Sequence, residues 1–227
     1  MSSELRNNQN KPLVLLGAGG HAKVLLSLIK AAGLTVLGVC APELVEQGVT
    51  SWRGINVLGT GDDMHDFPPG RVDLVNAVGK LEIRQTLFTI FKDKGYYFPI
   101  LVHPHAWVDE SVRLGEGTQV MAGVVIQADT CIGMNVIINT QASIDHDCVL
   151  GEHVHIGPGA MLCGGVRVHK RAFVASGSTL IVGVNVGEGA VVGAGASVVR
   201  DIKAQQVVLP ASVRRKEVGE ATYCGDQ

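Results

Sequence analysis

The chain has 227 residues, of which 46% are hydrophobic, 18% charged and 4% aromatic, and its formal net charge at pH 7 is −2. This length allows one or two domains, and the apolar content is too high for a chain that is mainly disordered. The balanced charge gives no reason to expect nucleic acid or an anionic membrane as a partner, and no stretch approaches the roughly 18 apolar residues of a membrane-spanning helix.

The polar start of the chain predicts a flexible tail over residues 1–10. It lacks the apolar centre of a secretory signal. The five cysteines include no CxxC pair, so we expect free thiols and a cytoplasmic protein.

Residues 11–100 alternate apolar strand-like runs with amphipathic stretches. Strands are predicted over 12–16, 35–40 and 73–77, and helices over 22–33 and 81–95. Strands that alternate with helices predict a small parallel sheet, which is a Rossmann-like α/β domain.

A glycine turn, with Gly17, Gly19, Gly20 and His21, joins the first strand to the first helix. Backbone N–H groups at such a helix start bind phosphate well. The turn also fits a tight connection that binds no ligand. A dinucleotide site would need an acid at the end of the second strand, where residues 40–42 are Cys-Ala-Pro, so a nucleotide that carries a sugar through its diphosphate fits better.

A six-residue repeat occupies the second half of the chain. An aliphatic residue stands at every sixth position from Val108 to Val198, and a second register of mostly small residues runs from Val112 to Ile202. Period six fits neither a helix nor a simple strand, but it fits a three-sided coil in which residues 18 apart stack as in a parallel sheet. We therefore predict a linker over 101–107, a parallel β-helix over 108–203 and a C-terminal tail over 204–227.

His146 is flanked by Asp145 and Asp147 at a hexad position that should face outward. A carboxylate on one ring nitrogen raises the basicity of the other, as a general base requires, although a surface histidine without a role fits the same position. His155 lies half a coil further on, so the two rings should meet only across an interface between subunits. The spacing of His146, His153 and His155 matches no standard zinc pattern, and no metal is expected.

Several segments resemble one known family. They are LVLLGAGGHAKV, VGKLEIR, LVHPHA and, most specifically, INTQASIDHDCVLGEHVHIGPGA. The chain resembles the nucleotide-sugar N-acetyltransferases and sialic acid O-acetyltransferases, which are hexapeptide-repeat acyltransferases of the PglD/NeuD type. The resemblance implies a left-handed β-helix, a homotrimer, acetyl-CoA as co-substrate and an active site between adjacent subunits.

The resemblance also assigns residues to roles. It implies His146 as the general base, Asp147 as the acid that tunes it, and His155 near the thioester of acetyl-CoA. Further positions match the cofactor path or the nucleotide-sugar contacts: Gly164, Ser176 and Ala194 for the cofactor, and Gly17, Gly19, Gly20, His21 and Gly79 for the nucleotide sugar.

The expected activity is transfer of acetyl to the 4-amino group of a nucleotide-linked sugar. Transfer to a hydroxyl of sialic acid or a related sugar is the first alternative, and a β-helix scaffold without catalysis is the second. Two departures from the family pattern bear on the substrate. Residues 40–42 replace the usual acids, so the nucleotide is open, and the usual G-V-P-A-K ending is Val-Leu-Pro-Ala-Ser at 208–212.

Overall fold

The computed structural model of the chain describes residues 11–62 and 64–210. The tail predicted over 1–10, and residues 211–227 of the predicted C-terminal tail, lie outside the described residues. Within the described ranges, no helix combines the length and the apolar character needed to cross a bilayer.

The N-terminal domain consists of β1 Leu13–Leu16, α1 Gly20–Ala31, β2 Val36–Cys40, α2 Pro42–Glu46, β3 Ser51–Trp52, β4 Ile55–Gly59, β5 Asp73–Asn76 and α3 Leu81–Asp93. Its strands form one sheet in the order β3-β4-β2-β1-β5, in which all neighbouring strands are parallel except β3 and β4. The three predicted strands and two predicted helices are confirmed, whereas α2, β3 and β4 were not predicted because they are short or only half-buried.

The second half is a left-handed parallel β-helix with three faces, as predicted. Each strand has two residues and pairs with a strand one coil away. Face I comprises β6 Leu101–Val102, β9 Gln119–Val120, β12 Ile137–Ile138, β15 His155–Ile156, β18 Phe173–Val174, β21 Val191–Val192 and β23 Val207–Val208. Face II comprises β7 Trp107–Val108, β10 Val125–Ile126, β13 Ser143–Ile144, β16 Met161–Leu162, β19 Thr179–Leu180 and β22 Ser197–Val198. Face III comprises β8 Arg113–Leu114, β11 Cys131–Ile132, β14 Val149–Leu150, β17 Arg167–Val168 and β20 Asn185–Val186.

The two hexad registers fill the interior of the coil. Ile126 pairs with Ile144, which pairs with Leu162, and all three side chains are fully buried. The small register is buried as well, as at Ala142 and Ala160. Small side chains are needed there because three walls converge on a narrow core.

The β-helix differs from its predicted bounds at both ends. The segment predicted as a linker, 101–107, contains β6 and the start of β7, and β6 pairs with β9. The reason is that Val102 stands six residues before Val108 and continues the aliphatic register. At the other end β23 pairs with β21 at a spacing of 16 residues instead of 18, within the predicted tail.

The N-terminal domain packs on face I of the β-helix. Gln119 and Ile137 on this face are 2% and 1% exposed. The Phe88 ring of α3 lies 5.8 Å, centroid to centroid, from the ring of His153, in the turn before β15. The Nζ of Lys92 in α3 lies 2.8 Å from a carboxylate oxygen of Glu116 in the β-helix. The contact brings the ends of β1 and β5 beside face I.

Candidate active site

His146 lies in the turn between β13 on face II and β14 on face III, and its side chain is 61% exposed. Its Nδ1 lies 2.7 Å from Oδ2 of Asp147, and its backbone N–H donates to Oδ1 of Asp145 at 2.8 Å. The hydrogen bond to Asp147, and then the charge of Asp145, raise the pKa of His146 above its usual 6.5. The bond to Asp147 occupies Nδ1 and leaves Nε2 as the nitrogen that can accept a proton.

Two details of the backbone place this ring. Asp147 adopts a positive φ of 58°, a conformation that Asp tolerates better than most residues. Gly164, one coil further on, lies under the imidazole of His146, and a β carbon on it would stand 2.7 Å from ring Cε1 and Nε2. The ring can lie there because residue 164 has no side chain.

His155 lies on a different face from His146. It begins β15 on face I and lines a cavity of about 700 Å³ between α3 and the β-helix. Burial, followed by the charges of Arg84 and His21, lowers the pKa of His155 to about 3. The ring is therefore neutral at physiological pH. It lies beside the ring of Phe173, with the centroids 5.1 Å apart and the ring planes tilted by 59°.

A second cavity of about 640 Å³ opens at the carboxyl ends of the N-terminal strands. The glycine turn after β1 lines it, and Gly17 has a φ of 100° and no room for a β carbon, which would lie 2.9 Å from Val78 Cγ2. Helices α1 and α3 begin at this cavity, and neither has a side-chain cap on its first N–H groups. Two helix starts with free N–H groups make this end of the cavity attractive to phosphate.

Gly79 lines both cavities, so they adjoin at this residue. His21 lines the cavity at the glycine turn, and its Nε2 is 2.8 Å from Oε1 of Gln119 on face I. Burial is the main cause that lowers the pKa of His21. A ligand held at the glycine turn thus has a path past Gly79 to His155.

The site residues that were predicted from the sequence lie in three separate places in the structure. The glycine turn, Gly79 and His155 line the joined cavities. His146, Asp147 and Gly164 form a separate group at the corner of faces II and III. Ser176 and Ala194 follow β18 and β21 at the corner of faces I and II, on successive coils.

Some residues of the site were not predicted. Thr60 and Asp62 follow β4 and line the cavity beside Cys40, and Glu43 lines it from the first turn of α2. Thr60 and Asp62 were missed because strand β4, which they follow, was not predicted. The sequence Thr-Gly-Asp after an apolar run is the signal that could have found them. The buried Cys40 thiol has its pKa raised to about 11 by burial, which makes it a poor nucleophile.

The next question is whether the described residues could hold a metal ion. Within residues 11–62 and 64–210, no three His, Cys, Asp or Glu side chains come close enough together to hold a metal ion. The Nδ1 of His153 instead lies 2.9 Å from the Nδ2 of Asn135.

Two protein-family models match parts of this chain. Residues 12–91 match the PglD N-terminal domain, and residues 147–181 match the bacterial transferase hexapeptide model of six repeats. A curated GDP-perosamine N-acetyltransferase from Escherichia coli O157:H7 is 32% identical over 76 residues, which are 33% of this chain. That alignment spans 34% of the length of the curated relative.

Solved structures match over nearly the whole chain. PerB from Caulobacter crescentus, in complex with CoA and GDP-perosamine, is 38% identical, with a TM-score of 0.81 over 92% of this chain and 98% of that one. The acetyltransferase domain of PglB from Neisseria gonorrhoeae FA1090, in complex with acetyl coenzyme A, is 35% identical, with a TM-score of 0.82 over 89% of this chain and 98% of that one.

Proposed function

Because this chain belongs to the family of nucleotide-sugar acetyltransferases of the PglD type, we propose that it transfers acetyl from acetyl-CoA to the 4-amino group of a sugar carried by a nucleoside diphosphate. The observation that carries the proposal is the hydrogen bond between His146 and Asp147, which prepares an exposed imidazole to accept a proton. A β-helix scaffold would have no use for this arrangement. The cytoplasm as the location of this protein stays a prediction from the sequence.

The acceptor fits the joined cavities with its diphosphate at the glycine turn. Strand order places β2 and then β4 on one side of β1, so the end of β4 lies about 10 Å, or two strand spacings, from the glycine turn. The base then lies over the ends of β2 and β4, beside Cys40 and Asp62. On the other side of β1, β5 leads to Gly79, so the sugar extends toward His155.

A guanine base suits this cavity. Asp62 and Glu43 line its base end, and Asp62 Oδ2 already accepts a hydrogen bond from Thr60 Oγ1 at 2.8 Å. Guanine presents N1–H and an amino group side by side, and a carboxylate can accept from both, whereas uracil presents a single N–H between two carbonyls. The GDP-linked ligand of the Caulobacter relative supports the same choice.

The catalytic histidine is supplied by a neighbouring subunit of a homotrimer. His146 and His155 lie on different faces, and His146 does not line the cavity of His155. Apolar side chains beside the His146 corner are open to solvent: Met161, Ile181 and Val182 are 50%, 42% and 73% exposed. A second copy packed on this corner would cover them and bring its His155 cavity opposite His146.

The reaction then proceeds by direct transfer. The neutral 4-amino nitrogen attacks the thioester carbonyl carbon and forms the new C–N bond, while Nε2 of His146 accepts a proton from that nitrogen. The carbonyl re-forms, the C–S bond breaks, and the CoA sulfur leaves and takes up the proton. Asp147 stabilises the imidazolium that forms in between through its bond to Nδ1. Ser176 and Ala194, on successive coils, suit an extended pantetheine chain running along the prism.

Transfer to a hydroxyl uses the same residues, so the choice between amine and hydroxyl acceptors is made by assay. Purified protein is incubated with acetyl-CoA and GDP-, UDP- or dTDP-linked 4-amino sugars, or with sialic acid, and released thiol is measured. We expect thiol release with a GDP-linked 4-amino sugar. In His146→Ala the rate of this release should fall by a factor of about 10² or more. His169→Ala, an exposed histidine on face III, is the control. Normal turnover in His146→Ala would contradict the proposal.

A further inference from the structure

Arg84 is a buried cation at the contact between the two domains. It is the fourth residue of α3 and its side chain is 0% exposed. Its Nη2 donates to the carbonyl of His153 at 2.7 Å, whereas Nε and Nη1 have no hydrogen-bond partner among the described residues. No carboxylate in the described part of the chain forms an ion pair with it. A buried charge without a carboxylate partner is costly to the folded state.

Hydrogen bonds tie Arg84 to both walls of the site. Asn76, at the end of β5, donates its Nδ2 to the Arg84 carbonyl at 2.7 Å and accepts on its own carbonyl from Gln119 Nε2 at 2.8 Å. Because the Nε2 group of Gln119 donates to Asn76, the Oε1 of Gln119 faces His21. This oxygen can only accept a hydrogen bond, so His21 carries a proton on Nε2. The network runs from the glycine turn, through β5 and α3, to the strand turn just before His155.

The charge of Arg84 reaches both histidines of the cavity wall. Burial lowers the pKa of Arg84 to about 10, so the guanidinium stays protonated at neutral pH. Burial is the larger cause that lowers the pKa of His21 and of His155, and the charge of Arg84 lowers both further. His21 lines the cavity at the glycine turn and His155 lines the adjoining cavity, whose charged lining residues are Glu82 and Arg171. Arg84 lines neither cavity, so it acts from behind the wall.

We propose that Arg84 is a positioning residue whose guanidinium holds α3 against the His153 carbonyl and places a fixed positive charge behind the His21–His155 wall, where it attracts the diphosphate of the acceptor. This inference rests on the proposed function, because it needs an anionic nucleotide in the cavity. A charge fixed in a poorly solvated place acts over a longer distance than a surface charge, since little water or salt screens it.

The test uses a series of ligands that differ in charge. Guanosine, GMP and GDP are titrated calorimetrically into wild type, Arg84→Met and Arg84→Lys, with Arg113→Met on exposed face III as the control for loss of a positive charge. We expect Arg84→Met to weaken GDP binding by about tenfold and guanosine binding much less, since the attraction grows with ligand charge. Arg84→Lys should restore most of the GDP affinity, and Arg113→Met should bind like wild type.

Other outcomes separate the two proposals. Equal loss for all three ligands means that Arg84 only supports the fold, and unchanged GDP binding in Arg84→Met removes the inference while the proposed function stands. Binding of none of GDP, UDP and dTDP by wild type overturns both. If Arg84→Met does not fold, Arg84→Gln is measured in the same series, and the same charge dependence is required of it.

Discussion

The imidazole of His146 and the backbone of Gly164 lie in contact on successive coils, with room for a hydrogen but not for a methyl group on residue 164. The backbone N–H of the next residue, Gly165, donates to the carbonyl of His146 at 2.9 Å and holds the two coils in register. The position of the His146 ring therefore depends on Gly164, a residue without a side chain.

Gly164→Ala should reduce turnover and leave the fold intact. Gly164 lies outside the positive-φ region, so alanine causes no backbone strain, but its methyl group would displace the His146 ring. We expect a loss of at least about tenfold in kcat, because a shift of about 1 Å in a catalytic group is costly. Steady-state kinetics and thermal unfolding measure the two effects.

Gly33→Ala is the matched control. Gly33 has a φ of 70° and nothing within 4 Å of its β-carbon position. Alanine there should lower stability by about 1 kcal/mol through backbone strain and leave kcat unchanged. Equal activity of Gly164→Ala and wild type would mean that the ring does not need its present position.

Activity should fall on the acid side with a midpoint above pH 6.5. The Asp147 hydrogen bond, and then the Asp145 charge, raise the pKa of His146, and the protonated ring cannot accept a proton. Asp147→Asn removes the larger cause, so the midpoint should move to lower pH while the maximum rate falls. Profiles of kcat with saturating substrates between pH 5 and 9 decide it, with Asp129→Asn as a control on another turn. A midpoint that stays in place in Asp147→Asn would contradict the assigned coupling.

The protein should lose stability as the pH falls below 6.5, and His155 should account for part of the loss. Burial lowers its folded-state pKa to about 3, so between pH 6.5 and 3 the unfolded chain binds a proton that the folded chain does not. One such group contributes at most about 1.4 kcal/mol per pH unit, and less here since His155 is partly open to its cavity. Urea unfolding at pH 7.5 and 5.5 should show a smaller difference for His155→Asn than for wild type. His169→Asn should match wild type, and an unchanged difference in His155→Asn would count against a buried neutral ring.

Asp62→Asn should change the choice of nucleotide. The substitution turns the carboxylate that we propose accepts from the donor edge of guanine into an amide with one acceptor and one donor group, so GDP binding should weaken by about tenfold. UDP binding should change little, since uracil lacks that pair of donors. Calorimetric titration of both nucleotides measures the ratio, and Asp66→Asn, outside the cavity lining, is the control. A parallel loss of GDP and UDP binding would place Asp62 away from the base.

Much of the architecture was predictable because it is local. Each hexad places its aliphatic residue inward through the geometry of a single turn, so the register from Val108 to Val198 predicts the β-helix without knowledge of distant contacts. The pairing of His146 with Asp147 is also local, since adjacent residues in a tight turn meet without help from the rest of the fold. At the N-terminal end the predicted β-helix began too late, because Val102 already continues the aliphatic register and β6 pairs with β9. At the C-terminal end it stopped too early, because β23 pairs with β21 at a spacing of 16 residues, which the 18-residue period does not predict.

The long-range contacts of the site could not be predicted in this way. Arg84 contacts a carbonyl 69 positions away, and His21 contacts a side chain 98 positions away. Neither spacing leaves a pattern in the sequence, because it depends on how α3 and the glycine turn settle on face I. Asp62 was missed because the strand that precedes it, β4, is only half-buried, so the apolar pattern of that strand is weak.

Periodicity and neighbours along the chain were enough to predict the β-helix, the α/β domain before it, the acid-flanked histidine and the half-coil separation of His146 from His155. The fold of the whole chain was needed to see that two cavities join at Gly79 and that a buried arginine stands behind their wall. These relations come from docking one domain on another, and docking depends on the shape of two folded surfaces, which no short stretch of sequence encodes.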